Sequence, residues 1–158
     1  MRRHLVILTT LALVFPAAGA AMKSDPQDGT LSVRQARGTF TVNAKGGMIG
    51  SFVRGRVVIT DPIDGDGTGP IVTGDDWHKD RSDTTTVYGG TRVRFRLIGG
   101  RFTIKVIGTG VNLSIVGQGK VTLNGDGTDD DGTYSINGNA YGYVPAFPLQ
   151  FVLNASSA

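Results

Sequence analysis

From Thr30 onward the chain is a succession of short runs rich in Val, Ile, Phe and Thr. They read LSVRQA, GTFTVNA, SFVRGRVVIT, TTTVYG, TRVRFRLI, RFTIKVI, VNLSIV, KVTLN, TYSIN and PLQFVLN, with glycine between most of them. Where apolar and polar residues alternate in these runs, they give the two-residue period of a strand that buries one face. Turn residues recur about every 8–12 positions, the spacing of a sandwich or barrel. Nothing after residue 20 keeps a 3.6-residue apolar period for three turns. The pattern predicts an all-β domain over residues 30–154, a single antiparallel β-sandwich or Greek-key barrel. An irregular β-solenoid is the alternative, because GTFTV at 38, GRVVI at 55, GRFTI at 100 and GKVTL at 119 resemble one another. Their intervals vary, however, and a solenoid needs a steadier period.

One hairpin is specified in detail. In TRVRFRLI–GG–RFTIKVI, Gly99 and Gly100 suit a two-residue turn that requires positive φ. That turn would set Leu97 against Phe102, Phe95 against Ile104 and Val93 against Val106 on one face. On the other face Arg94 would stand opposite Lys105, and a one-residue slip would break the match.

Composition agrees with strands. The 158 residues include 24 Gly, and all 13 acids are Asp. Glu favours helices, whereas Gly and Asp favour turns, so a helical bundle is excluded. Residues 1–20 read as a cleavable signal peptide: Arg2 and Arg3 precede an apolar run from Leu5 to Phe15, and Ala18-Gly19-Ala20 is a small-x-small cleavage site. The apolar run is too short to span a bilayer, so no transmembrane segment is expected in the mature chain. Secretion, or retention at the cell envelope, follows. Residues 21–29 read as a flexible lead and 155–158 as a tail. The absence of Cys means that an exported chain must hold together without disulfides.

Removing the signal takes Arg2 and Arg3 from the 16 bases, so the mature net charge is 14 − 13 = +1. Global basicity is then no argument for nucleic acid or membrane. The distribution of charge says more. Seven Asp lie within 61–83, four within 126–131 and two in the lead, while the predicted strands carry only bases. Arg92, Arg94, Arg96, Arg101 and Lys105 would share one face of the hairpin. Like charges opposite one another are destabilising unless an anion or an acidic loop answers them. An anionic cell-wall polymer or glycan is the expected ligand of a structural or binding module, with the acidic 61–83 loop folded over the bases, or a merely solvated face, as the alternatives. Nucleic acid is not expected, because no aromatics interleave with the bases.

The two acidic loops invite a calcium reading, as in a calcium-stabilised adhesion-type domain. Asp64, Asp66 and Thr68, with Asp75 eleven residues after Asp64, have the spacing of an EF-hand calcium loop. The loop departs from that pattern in ending on Asp and in being flanked by strands. Asp126, Asp129 and Asp130 form a second candidate cluster. Asp-Gly pairs equally serve ordinary turns. Catalysis is the weakest reading: His78 is the one imidazole left after residue 20, and no G-x-S-x-G elbow accompanies it, so a small hydrolase would have to centre on His78 with a neighbouring Asp and Ser. Tyr141 and Tyr143 point to one side of any extended segment; with Trp77 they would line a sugar site, or else pack into the core.

Overall fold

The computed structural model describes residues 25–128 and 130–155. The signal peptide, the start of the lead, Asp129 and the last three residues lie outside them. Eight strands form: β1 (Gly29–Thr60), β2 (Gly67–Thr73), β3 (Trp77–Ser82), β4 (Thr85–Gly99), β5 (Arg101–Asn124), β6 (Thr133–Ile136), β7 (Gly142–Tyr143) and β8 (Leu149–Leu153). All belong to one antiparallel sheet of order β2-β4-β1-β5-β8, with β3 beside β4 and β6 and β7 on the flank of β1. The order is linear and does not close into a barrel. The fold is all-β, consistent with a sandwich, and no helix occurs among the described residues.

Two strands organise the molecule. β1 is 32 residues long and β5 is 24, because glycines expected to end strands are used inside them. β1 pairs with β5 in two registers: Gly29 and Gly46 both stand opposite Gly117, and Phe40 and Val57 both stand opposite Val106. Residues 17 apart on β1 thus flank the same β5 residue, which takes about 56 Å of strand path for one passage round the core. The 17-residue interval between GTFTV and GRVVI is this passage. Every ladder is antiparallel, so the repeat reflects a rolled sheet and not the coils of a solenoid.

Rolling a sheet this tightly needs close backbone approach. Gly46 has φ 146°, and a Cβ there would overlap the Val116 carbonyl oxygen and stand 2.7 Å from the Gly117 Cα. Only glycine fits such a bend without moving backbone.

The expected hairpin does not form. Gly99 and Gly100 do have positive φ, 75° and 78°. Yet β4 and β5 both pair with β1: Leu97 faces Met48, Phe102 faces Ala44, Phe95 faces Gly50 and Ile104 faces Val42. The two glycines are a jog between consecutive partners of one long strand, and the Gly46 N–H donates to the Gly100 carbonyl across it (3.0 Å). The face assignment survives, since Val93, Phe95, Leu97, Phe102, Ile104 and Val106 are all buried in one cluster with Phe40, Phe52 and Met48. Each such side chain contributes roughly 1.5–3 kcal/mol by leaving water.

The segment 61–83, expected as a loop, contains β2 and β3, which cover the free edge of β4. Residues 25–28 form a turn tied to the other end of the domain, with the Ala155 N–H donating to the Gln27 carbonyl (2.9 Å).

Candidate polyanion-binding face

All thirteen Lys and Arg among the described residues are exposed. The single ion pair among those residues is His78 with Asp75, 3.3 Å apart, so no Arg or Lys there lies within 4 Å of a carboxylate. Three acids beside the β4 edge are occupied by neutral donors. Asp66 accepts the Arg101 backbone N–H (2.9 Å), and Asp76 accepts the N–H and hydroxyl of Thr91 (2.9 and 3.1 Å). Asp80 accepts the Thr86 hydroxyl at 2.7 Å. The segment that carries most of the acid therefore lies along the edge of β4 without pairing its carboxylates with the bases.

The bases do not form the expected single ladder. Arg94 stands between Ser51 and Thr73, whereas Lys105 stands between Thr41 and Val58. Ser51 and Val58 are seven residues apart on β1, about 23 Å of strand. The physical reason is β1 itself, which separates the two arms of the presumed hairpin. Arg101 faces Lys45, and Arg92 sits at φ 62° between the Val93–Phe52 and Thr91–Arg54 pairs.

What the fold brings to Arg94 is Arg34. Rows of partners cross the outer face as Thr73–Arg94–Ser51–Asn112 and as Ile71–Arg96–Ile49–Ser114–Ser32. Arg34 and Arg94 line a shallow groove of about 390 Å³ floored by Ser51, Asn112, Ser114 and Ile49. Three interstrand steps separate the two arginines, about 14 Å at the backbone. The groove is held rigidly. Gln35, at φ 49°, donates its N–H to Asn112 Oδ1 (3.1 Å), and Asn112 Nδ2 donates to the Gly110 carbonyl (3.1 Å). The Arg34 guanidinium lies over the Tyr141 ring, 4.2 Å from its centroid, and the Tyr141 hydroxyl donates to Ser32 Oγ (2.8 Å). Tyr141 and Tyr143 are 44% and 80% exposed, so the core-packing reading fails for both. Two guanidiniums, each able to take a carboxylate or phosphate bidentately, border a floor on which serine hydroxyls and one amide flank the exposed apolar side chain of Ile49. The arrangement suits an anionic ligand rich in hydroxyl groups.

The proposed cation ligands do not converge. Asp66 holds the Gly99-Gly100 jog, Asp75 pairs with His78, and Asp64 and Thr68 are exposed. Among the described residues no three acidic or imidazole side chains are placed to hold a metal. In the second loop Asp126 and Asp130 are exposed, and Asp129 lies outside the described residues. The organising residue there is Asp131, 2% exposed, which accepts the N–H groups of Gly127 and Thr128 (2.6 and 3.0 Å) and the Thr128 hydroxyl (2.7 Å). Burial alone would raise its pKa; the hydrogen bonds from Thr128 and from the Gly127 and Asp126 backbone outweigh it and hold the carboxyl below its ordinary value. Sequence reasoning named Asp126, Asp129 and Asp130 as the cluster and passed over Asp131.

His78 is exposed on β3, its ring 5.9 Å from that of Tyr88. Ser82 bonds Thr84, and Ser135 donates to the Asn139 carbonyl. Among the described residues no helix is long and apolar enough to cross a membrane. Compared with known proteins, the chain matches no family model, no curated sequence and no solved structure.

Proposed function

We propose that this chain is a non-catalytic β module, secreted or retained at the cell envelope, that binds an anionic polymer or glycan on the basic outer face of its sheet. One observation carries the reading: the bases of the described residues are exposed without carboxylate partners, while Asp66, Asp76 and Asp80 along the β4 edge accept from neutral donors. Unanswered like charges on neighbouring strands are a standing cost that a polyanion relieves. The groove between Arg34 and Arg94 is the best-built part of that face, because Tyr141 and Asn112 fix its walls. Export rests on the apolar segment within residues 1–20.

Calorimetric titration with polygalacturonate and with poly(glycerol phosphate) tests the reading. At least one should bind. An exposed Arg contact is worth about 0.5–1 kcal/mol, so Arg34→Ser with Arg94→Ser should weaken binding about 5–30-fold. Both substitutions are on exposed strand positions and should leave the fold intact. No heat with either polymer would end the proposal.

A further inference from the structure

The second cluster of bases surrounds the one tryptophan of the chain. On the outer face Trp77 pairs with Gly89, which also pairs with Arg56, and Val87 pairs with Val58, which also pairs with Lys105. The indole lies flat on the Gly89 backbone: a Cβ there would overlap ring atoms Cζ2 and Cε2 and stand 2.8 Å from Nε1. Covering a strand glycine with an aromatic ring is a known way to stabilise a sheet edge. That role uses one face of the ring, and Trp77 remains 49% exposed. Val87 points outward, away from the central core, yet is only 4% exposed, which marks a built hollow and not a flat surface. The hollow measures about 380 Å³, with Arg56, Arg81 and Lys105 among its lining residues. On and beside β3, Asp75 pairs with His78, Asp76 accepts from Thr91 and Asp80 from Thr86, while Asp83 is exposed.

We infer that this hollow is a subsite for an acidic saccharide, in which a sugar ring stacks on the open face of Trp77 and its acid group is taken by Arg56, Arg81 and Lys105. The inference rests on the anionic-glycan reading and narrows its ligand class. An indole is a hydrophobic, flat platform with a polar edge, suited to the C–H face of a pyranose. Guanidinium groups supply bidentate recognition of a carboxylate or sulfate. Beyond Lys105 the outer face continues through Thr41, Thr122 and Gln150, which with Lys120 line a separate, adjoining depression. A path of hydroxyls, an amide and one more cation fits a hydroxylated acidic chain. Single-stranded nucleic acid instead calls for successive aromatic platforms, and this path has one.

Trp77 emission reports this subsite alone. Titrating the intact protein with short oligogalacturonates should shift or quench it saturably, and the methyl-esterified oligomers should not. Arg56→Ser with Lys105→Thr should weaken the effect about tenfold. Gly89→Ala should lift the indole and abolish the response, while far-ultraviolet circular dichroism confirms that the variant is folded. Calorimetric binding with unchanged Trp77 emission would overturn the inference and leave the proposed function standing. Unchanged emission with the oligogalacturonates, together with no heat from either polygalacturonate or poly(glycerol phosphate), would overturn the two together. An equal or larger response to oligothymidylate would overturn the saccharide assignment.

Discussion

Gly46→Ala is the sharpest perturbation of the rolled sheet. The new Cβ would overlap the Val116 carbonyl oxygen and press on the Gly117 Cα, and both obstacles are backbone. The residue would also keep a φ of 146°, which L side chains rarely adopt. Backbone strain of this kind costs about 1–3 kcal/mol. Overpacking against atoms that cannot rotate away adds about 1–3 kcal/mol. The sum, about 2–6 kcal/mol, is a large share of the roughly 5–15 kcal/mol that a domain possesses. At about 3–5 °C per kcal/mol for a domain near this size, a mid-range loss lowers Tm by about 12–20 °C. Two variants separate the contributions. Gly138→Ala meets nothing within 4 Å but keeps φ at 78°, so it should lose only about 1–2 kcal/mol. Gly69→Ala meets nothing within 4 Å and carries no positive φ, so it should melt with the wild type. Thermal melts followed by circular dichroism, checked by urea midpoints, read all three. A Gly46→Ala protein that melts beside Gly69→Ala would refute the close crossing of β1 and β5.

Two further outcomes follow from the acidic loops. Asp131→Asn removes the charge that gathers three donors and should destabilise by about 2 kcal/mol at neutral pH. Because folding lowers the Asp131 pKa, that stabilisation is fully present above the unfolded value of about 3.9 and is lost as pH falls through the lower folded value. The Tm gap between wild type and variant should therefore be constant above about pH 5 and should close in acid; a gap that widened in acid would contradict the assignment. Melting curves in millimolar calcium and in chelator should superimpose, since Asp66 and Asp75 are already engaged. An upward shift in calcium that Asp64→Asn abolished would restore the first loop as a cation site.

The strands were legible because their alternation is local. Phe95 and Leu97, like Phe102, Ile104 and Val106, point inward whichever strand lies beside them. Pairing was not legible, because it depends on residues far away in sequence. Gly99-Gly100 has the positive φ expected of a tight hairpin turn, and only the intrusion of β1 makes it a jog. The 17-residue interval was visible at residues 38 and 55, but its meaning needed a sheet that returns on itself. Strands β2 and β3 hid behind Asp and Gly because their stability comes from the β4 edge they cover and little from their own propensity. Arg81 was hidden in the expected loop, whereas Arg34, Arg56, Arg94 and Lys105 were readable as strand residues. Their grouping was not: Arg94 meets Arg34, and Lys105 meets Arg56 and Trp77, through partners 40 or more positions away in some ladders.

Retention on immobilised polymers at graded salt measures the proposed function most directly. The mature protein should be held by polygalacturonate or poly(glycerol phosphate) at low ionic strength. It should be released as salt rises through about 0.15 M, where the screening length falls to roughly 8 Å. Fully methyl-esterified pectin should not hold it, and Arg34→Ser with Arg94→Ser should elute earlier from the acidic columns. Identical elution from the acidic and esterified columns, at every salt concentration, would contradict the account.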